Sequence, residues 1–495
     1  MHKTNGNTSY SHIIKYTGLF GGVQLLTILL GIVRNKLVAM LLGPSGMGLV
    51  SLFNSTTKML SDATGLGIQI SGVRNISDAY QNGDRRQLTH TVMLIRSWSF
   101  MTGVVGMMLC VALSPCLDSW TFSWGKHTLH FVLLSPIIAL TTMTGGEMAI
   151  LKGTRQLKAM ASISVMHVLL ALLISVPLYF YLGETGIVPS LVLMAATLMV
   201  LTIAYSWRLF PIRLSFVRSF IAEGMGMIRL GVGFVAAAFV ISFAEFVVRA
   251  FLNNNGSLEI LGLYNAGYML ISVYGGMLFA AMETDYFPSL SALIHDNRTF
   301  NVLVNKQMEV SLLIVSPLII LLIVFLPFIV PLLFSGNFME MVPMAQIMAC
   351  SLYLRAAKLP IAYIPLAKGN SLFFLLMESL FALGYIVFSI VGYKQWGLLG
   401  AGIAFSVAAV VDFAIQSVCM NRKFGFVFSS RVMKTMAIQL PLGMVAYVIA
   451  ISVNKWWVLY PLGILLAAVS AYCSFQSLKK KTKLMTKIKE KLLRH

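Results

Sequence analysis

The chain has 495 residues, of which 58% are hydrophobic and only 11% are charged, whereas an ordinary soluble domain carries about 25% charged residues. This composition excludes a soluble globular protein. The formal net charge of +20 would suit a nucleic-acid-binding protein, but the basic residues are spread between apolar segments and gathered in one tail. We therefore predict no nucleic-acid partner.

Apolar segments recur along the whole chain, and each is long enough to cross a membrane as a helix of about 20 residues. Continuous runs such as Leu312 to Leu333 differ from the alternating strands of a membrane β-barrel. The predicted fold class is an all-α polytopic membrane protein with about 14 transmembrane helices. The predicted spans are 13–40, 46–72, 89–115, 128–150, 160–182, 187–208, 228–252, 259–285, 308–334, 341–365, 370–392, 396–419, 434–453 and 456–476.

The distribution of Lys and Arg among the connections predicts the topology. An even number of spans places both termini on the same side of the membrane. The connections and termini on that side hold 25 basic residues, whereas the opposite connections hold 3, namely Lys126, Lys394 and Lys455. Because connections rich in Lys and Arg remain in the cytoplasm, both termini are predicted to be cytoplasmic.

A faint internal repeat divides the predicted spans. Three short pairs have nearly the same separation, 214 to 216 residues: Val33-Arg34 with Val248-Arg249, Gly48-Leu49 with Gly262-Leu263, and Lys152-Gly153 with Lys368-Gly369. Two parallel six-helix lobes are expected, because each half contains an even number of spans. The predicted domains are an N-terminal lobe (1–210), a cytoplasmic interlobe linker (211–227), a C-terminal lobe (228–420), an appended helix pair (421–478) and a basic cytoplasmic tail (479–495).

Six basic residues within the predicted spans are candidates for substrate binding. A charge there costs about 2.5 to 3.5 kcal/mol on insertion scales, so each needs a partner, a wet cavity or a route to the headgroups. Three lie near the outer ends of their spans, where a long side chain can also reach the headgroups: Arg34, Lys36 and Arg249. Three lie near mid-span: Lys58, Arg355 and Lys358. This basic excess predicts a phosphorylated or acidic substrate.

Four acidic residues within the predicted spans are candidates for ion coupling or gating: Asp62, Glu245, Glu378 and Asp412. Glu378 and Asp412 lie deep enough to take up H⁺ or Na⁺. For the other two, simple neutralisation is an alternative. Lys58 and Asp62 lie four residues apart on one helical face, as do Glu245 and Arg249, so each pair can form an ion pair within its own helix.

The sequence predicts neither an enzyme nor a cofactor. It lacks a Walker A motif, and its connections are too short to contain a catalytic domain. The five cysteines are scattered, and His127 and His130 have no third ligand near them in the sequence. We therefore predict no catalytic residue and no metal site.

Three motifs give the chain a resemblance to a known family. The first runs from Lys36-Leu-Val-Ala39 through Leu42-Gly-Pro-Ser-Gly-Met-Gly-Leu49, the second is Leu151-Lys-Gly-Thr-Arg155, and the third is Phe287-Pro-Ser-Leu-Ser-Ala292. In order and spacing they resemble the Wzx-type flippases for O-antigen and enterobacterial common antigen. These belong to the polysaccharide transporter family, within the multidrug/oligosaccharidyl-lipid/polysaccharide superfamily. The resemblance covers about residues 13 to 420.

The resemblance implies a flippase of the bacterial inner membrane that moves an undecaprenyl-pyrophosphate-linked oligosaccharide, such as an O-antigen unit, to the periplasmic leaflet by alternating access. It also implies substrate contacts at Lys36 and Arg355, which match basic positions of the family. Expected partners are this lipid-linked substrate, membrane lipids, H⁺ or Na⁺, and the glycan polymerase and chain-length machinery. A multidrug exporter of the same superfamily and a membrane-embedded glycan polymerase or ligase are the alternatives.

Overall fold

The computed structural model describes residues 6–214, 219–291, 293, 296–453 and 455–479, and this part of the chain contains helices but no strands. The helices are α1 (Gly6–Thr64), α2 (Ile68–Gln81), α3 (Arg85–Thr121), α4 (Thr128–Gly153), α5 (Leu157–Leu182), α6 (Ile187–Trp207), α7 (Ser219–Asn255), α8 (Leu258–Tyr268), α9 (Gly275–Ser291), α10 (Asn297–Leu333), α11 (Val342–Ala362), α12 (Ile364–Ala367), α13 (Ser371–Phe424), α14 (Ser430–Ser452) and α15 (Trp456–Lys479).

Ten helical stretches of the described chain are long and apolar enough to cross a membrane. Three of them are long enough for two passes each, and each contains a break. Gly43 interrupts α1 with φ 64°, Trp396 and Gly397 interrupt α13, and a 3₁₀ turn at Gly183–Gly186 separates α5 from α6. The breaks at Gly43 and Gly183–Gly186 lie within predicted connections, and the break at Trp396 and Gly397 lies at the start of the predicted span 396–419. The all-α polytopic fold class is therefore confirmed, while the count of fourteen stays a prediction.

By packing, the chain divides into two compact units. Unit 1 comprises Met1–Gly262 and Leu332–Ser335, and unit 2 comprises Leu263–Pro331 and Gly336–His495. The predicted six-helix lobes divide the chain earlier, and α7 already begins at Ser219, inside the predicted linker. The lobe boundaries stay a prediction.

The core of unit 1 includes an apolar cluster around α2, α3 and α4. Ile76 and Ile95 are fully buried there, beside Trp98 and Ile150. The predicted end of the span 46–72 is wrong, since α1 ends at Thr64 and α2 is a separate amphipathic helix with its apolar side buried against α3 and α4.

A second feature of unit 1 is the close crossing of α1 and α8 at Gly48 and Gly262. A Cβ atom at Gly48 would lie 2.1 Å from the carbonyl oxygen of Leu258, and one at Gly262 would lie 1.8 Å from that of Pro44. Only glycine allows the two backbones to approach this closely. These glycines are also one of the pairs that define the predicted repeat.

Unit 2 contains a helical irregularity that the sequence pattern does not predict. The predicted span 259–285 consists of α8, a π-helical segment at Met269–Tyr274, and α9. π-Helical turns widen the hydrogen-bonding pattern and are frequent at functional sites. Elsewhere in unit 2, α14 and α15 are joined by Gln439, which bonds with Ser470 and Ser474.

Candidate functional site in two charged clusters

The first charged cluster lies in unit 1, where α1 faces α7. Lys58 Nζ lies 3.4 Å from Glu245 Oε2, and Arg249 Nη1 lies 3.5 Å from the same oxygen. Arg249 also donates from Nε to Ser51 Oγ at 3.0 Å and from Nη1 to the Glu245 carbonyl at 3.1 Å. Asp62 lies beside Ser242 and Lys58. The Glu245 carboxylate therefore forms ion pairs with basic side chains of two helices, Lys58 of α1 and Arg249 of α7.

This arrangement decides between the pairings considered from the sequence. The Glu245–Arg249 pair forms within α7, as the spacing allowed. The ion pair of Lys58 joins it to Glu245 and not to Asp62, because its long side chain reaches across to the neighbouring helix. The Arg249 side chain is 6% exposed, whereas that of Lys58 is 53% exposed. Lys58 is therefore the cation of this cluster that a solute can reach.

The other two basic candidates of unit 1 contact neighbouring segments. Arg34 donates from Nε to Ser175 Oγ at 3.2 Å and contacts the Met194 sulfur at 3.1 Å, so its guanidinium points towards α5 and α6. Lys36 Nζ donates to the Leu332 carbonyl at 2.8 Å. Arg34 therefore contacts the helices next to α1, and its role in substrate binding stays a prediction.

The second charged cluster lies in unit 2 and begins at the π-helical segment. Arg355 on α11 donates from Nη1 to the Ser272 carbonyl at 2.9 Å, and its guanidinium lies 5.6 Å from the centre of the Phe279 ring. Gly276 allows this approach, because a Cβ atom there would lie 3.0 Å from Nη2. The π-helical segment and a glycine thus position Arg355, and no ion pair of this residue occurs within the described chain.

Lys358, one turn further along α11, lies between acidic side chains of α13. It forms a salt bridge with Asp412, and its ammonium lies 4.6 Å above the centre of the Phe381 ring. Gln416 donates from Nε2 to Asp412 Oδ1 at 3.3 Å. Glu378 also interacts electrostatically with Lys358 but forms no salt bridge in the part of the chain that the structure describes.

Arg355, Lys358 and Glu378 line one cavity of about 230 Å³, together with Tyr363 and Phe374. Its wall is mostly apolar, with two cations and one carboxylate facing the space. In a low-dielectric environment such charges interact strongly with a charged ligand or a small cation. The structure therefore brings three of the sequence-predicted site residues together around this cavity, and the fourth, Asp412, contacts Lys358.

When the acidic candidates are counted with the basic ones, the net positive charge of the ten predicted site residues is small. In unit 1 the charges of Lys58 and Arg249 are matched by Asp62 and Glu245, and the positive surplus comes from Arg34 and Lys36. In unit 2 two basic and two acidic candidates balance. Substrate recognition would therefore depend on individual accessible cations more than on a strong overall field.

Unit 1 also contains a buried ion network that was not among the predicted site residues. Arg96 donates to both carboxylate oxygens of Glu147, at 2.7 and 3.1 Å, and to Ser206 Oγ at 3.3 Å. Its Nη1 donates to the carbonyls of Phe210 and Pro211 at 3.1 and 2.9 Å. The sequence does contain a signal for this pair. Arg96 lies near the start of the predicted span 89–115 and Glu147 near the end of the next span, 128–150, so the two opposite charges are at the same side of the membrane.

Two of the three motifs behind the family resemblance form turns and close contacts, whereas the described residues of the third, 287–291, belong to α9. Gly43 and Pro44 make the break in α1, and Gly48 permits the crossing with α8. Arg155 has φ 57° in the turn after α4, and a Cβ atom at Gly153 would lie 2.5 Å from Ile76 Cγ2. The predicted basic tail lies outside the described residues beyond Lys479.

Comparison with known families assigns the chain to one of them. The sequence profile of a family described as "Polysaccharide biosynthesis protein" matches residues 37–343, which is more than half of the chain. The chain belongs to this family. The resemblance found in the sequence is thereby confirmed at the level of a polysaccharide transporter family. No curated protein sequence matches the chain.

Solved structures show the same fold. An inward-facing multidrug resistance MATE family transporter of the MOP superfamily has a TM-score of 0.65 at 14% identity, over 80% of this chain and 95% of that one. The lipid II flippase MurJ, in an inward closed conformation, has a TM-score of 0.64 at 14% identity, over 93% of this chain and 99% of that one. The Vibrio cholerae MATE transporter VcmN has a TM-score of 0.58 at 14% identity, over 86% and 100%. Family and fold support a multi-pass membrane transporter or flippase.

Proposed function

We propose that the protein is a flippase for an undecaprenyl-pyrophosphate-linked oligosaccharide, such as an O-antigen repeat unit, and not an enzyme. Its place would be the bacterial inner membrane, where alternating access carries the substrate from the cytoplasmic to the periplasmic leaflet. The family match and the fold of MurJ support this class of substrate. The predicted cytoplasmic position of both termini is part of this proposal.

The observation that carries the substrate assignment is the position of Arg355. The carbonyl of Ser272, in the π-helical segment, accepts a hydrogen bond from one N–H group of Arg355. A guanidinium has five N–H donors in a fixed fork. Arg355 and Lys358 line the same cavity. A planar fork matches two oxygens of a phosphate, so Arg355 would hold the pyrophosphate and Lys358 would add charge.

In unit 1, Lys58 would serve as the second accessible substrate contact, because more than half of its side chain is exposed. Arg34, Lys36 and Arg249 stay predicted contacts, although the hydrogen bonds they already make would have to be exchanged for bonds to the substrate. The acidic residues Asp62, Glu245, Glu378 and Asp412 are the proposed gating or coupling groups.

The driving force would come from the membrane and from coupled ions. Each elementary charge that crosses a potential of 100 mV contributes about 2.3 kcal/mol, and a cytoplasm-negative potential favours outward movement of an anionic substrate. Uptake of H⁺ or Na⁺ by a carboxylate of unit 2 would add to this. Membrane lipids, glycan polymerase and chain-length machinery are the proposed partners.

The test is transport in proteoliposomes of a fluorescent undecaprenyl-pyrophosphate-linked glycan, detected by an impermeant quencher. Arg355→Ala removes a charge-assisted contact worth about 1.5 to 3 kcal/mol, so binding should weaken about ten- to a hundredfold. Arg355→Lys should recover little if the planar fork is required. Arg422→Ala, an exposed position at the end of α13, is the matched control.

One result would overturn the role of Arg355, and two others would overturn the flippase assignment itself. Wild-type glycan transport by Arg355→Ala would remove the substrate role of this residue. Transport of cationic dyes without any transport of the lipid-linked glycan would instead identify a multidrug exporter, the alternative that the MATE-like fold leaves open. Glycan-chain growth in the same vesicles would identify a polymerase or ligase.

A further inference from the structure

A second cavity lies in unit 1, apart from the two charged clusters. Its volume is about 460 Å³, and Arg86, His90 and Arg96 of α3 line it together with Phe210, Pro211 and Arg213. We call it the α3–linker pocket. It lies where α3 begins and α6 has just ended, which the positive-inside topology places at the cytoplasmic side of the membrane.

The buried Arg96 network gives the α3–linker pocket a fixed wall. The Arg96 side chain is 3% exposed and forms five hydrogen bonds, with Glu147, Ser206 and the carbonyls of Phe210 and Pro211. The last two bonds tie the start of the linker to α3. The pocket is therefore formed before a ligand arrives.

The charges at the mouth of this pocket are positive. Arg86 and Arg213 are both exposed, and neither is within ion-pair distance of a carboxylate in the described part of the chain. His90 lies 3.4 Å from Glu223, and Arg96 is neutralised by Glu147. Two arginine side chains without an ion pair are thus left around one cavity, which suits a phosphate group.

Residues 208–214, which join the end of α6 to the linker beside the pocket, carry exposed apolar side chains. Leu209, Ile212 and Leu214 are 40%, 48% and 44% exposed, and they alternate with Arg208 and Arg213. A segment with this mixture lies at the boundary between headgroups and acyl chains. Basic pockets at the cytoplasmic side of helical membrane proteins are suited to anionic headgroups.

We propose that the α3–linker pocket binds the phosphate of an anionic membrane phospholipid, which is a bound lipid and not the transported substrate. Arg86 and Arg213 hold the phosphate, and the apolar residues of the linker contact the acyl chains. This inference does not depend on the glycan substrate, because it follows from unit 1 alone and its test measures lipid binding.

The test is native mass spectrometry of the full chain, titrated in detergent with phosphatidylglycerol or phosphatidylcholine. The wild-type protein should retain phosphatidylglycerol preferentially. In Arg86→Gln/Arg213→Gln, affinity for phosphatidylglycerol should fall about ten- to thirtyfold, since each basic residue near anionic lipid contributes about 1 kcal/mol. The control Arg74→Gln/Arg422→Gln removes the same charge from exposed positions outside the pocket and should leave affinity near the wild-type value.

Three results would overturn the proposal. The first is unchanged phosphatidylglycerol affinity in the pocket variant, and the second is an equal loss in the control. The third is displacement of the bound lipid by millimolar inorganic phosphate, which would show a site for soluble phosphate instead. Size-exclusion elution identical to the wild type confirms that a weaker-binding variant is folded.

Discussion

Arg96 and Glu147 form an ion pair that is almost entirely removed from solvent, with side chains 3% and 7% exposed. A buried ion pair contributes little more to stability than apolar residues of the same size would. Removing one partner, however, leaves an uncompensated buried charge. All the donors of Arg96 reach acceptors on α4, α6 or the linker. Its role is therefore to hold these segments together.

This leads to a prediction about stability. Arg96→Ala should destabilise the protein by about 3 to 5 kcal/mol, because Glu147 stays buried without its partner. In Arg96→Ala/Glu147→Ala the loss should be much smaller than the sum of the single losses. Thermal unfolding in detergent measures both. Strictly additive losses would show that the two residues act independently.

Of the two acidic candidates in unit 2, Glu378 is the one without a salt bridge in the described part of the chain. Lys358 forms its salt bridge with Asp412, while Glu378 faces the same cavity as Arg355. A buried carboxyl without a dedicated partner is a suitable carrier for H⁺ or Na⁺, because binding the cation removes the cost of its charge. Asp412, in contrast, is tied to Lys358 and Gln416.

We predict that Glu378→Gln folds normally but loses the dependence of transport on an H⁺ or Na⁺ gradient. Glutamine keeps the shape of the side chain and cannot take up either cation as a carboxylate does. The measurement is glycan transport in proteoliposomes under imposed gradients, with the exposed Glu340→Gln as the control. A variant that responds to both gradients like the wild type would exclude Glu378 as the coupling group.

At the scale of elements, glycines determine how closely helices approach. Gly48 of α1 and Gly262 of α8 allow backbone contact that any side chain would prevent. Gly31, also in α1, has no atom within 4 Å of the position its Cβ atom would take. One helix therefore offers a crowded and an open glycine for comparison.

Gly48→Ala should destabilise the protein by about 1 to 3 kcal/mol, because the new methyl group would overlap the Leu258 carbonyl. Gly31→Ala should stabilise it by about 0.5 to 1 kcal/mol, because alanine loses less entropy than glycine in a helix. Thermal unfolding in detergent compares the two variants. An equal shift in the unfolding midpoint for both would contradict the crowded crossing.

Several elements could be predicted from hydrophobicity and turn residues alone. The breaks at Gly43 and Gly397 fall where apolar runs are interrupted. They could be predicted because a membrane-spanning segment must be apolar, so an interruption of the apolar run indicates the end of a span. The amphipathic α2 was missed because its apolar side continues the preceding apolar run. The π-helical segment was missed because its residues, Met269–Tyr274, have no composition that distinguishes them from an α-helix.

In the candidate site, contacts within one helix could be predicted from the sequence, whereas contacts between helices could not. The i,i+4 spacing predicted the Glu245–Arg249 pair correctly, because both residues lie on one helix. The contacts of Lys58 with Glu245, Lys358 with Asp412 and Arg96 with Glu147 join different helices. Such partners depend on which helices are neighbours and on their rotation, and a single sequence contains neither.

For the whole molecule, the testable quantity is the topology. In a chain whose five native cysteines are replaced by serine, Lys126→Cys should react with an impermeant maleimide in intact cells. Arg422→Cys should react only after permeabilisation. Both positions are exposed in the structure, so a difference in labelling reports the side of the membrane and not burial. Equal labelling of the two cysteines in intact cells would contradict cytoplasmic termini.

The Arg96 network also constrains the order in which unit 1 is assembled during biosynthesis. Arg96 leaves the ribosome before Glu147, and the carbonyls of Phe210 and Pro211 follow last. An unpaired arginine within a helix costs about 2.5 to 3.5 kcal/mol on insertion, so α3 gains from entering the bilayer together with α4 as a neutral hairpin. The two carbonyl bonds close only when α6 has been inserted. Docking of the linker on Arg96 thus completes the folding of this part of the nascent chain.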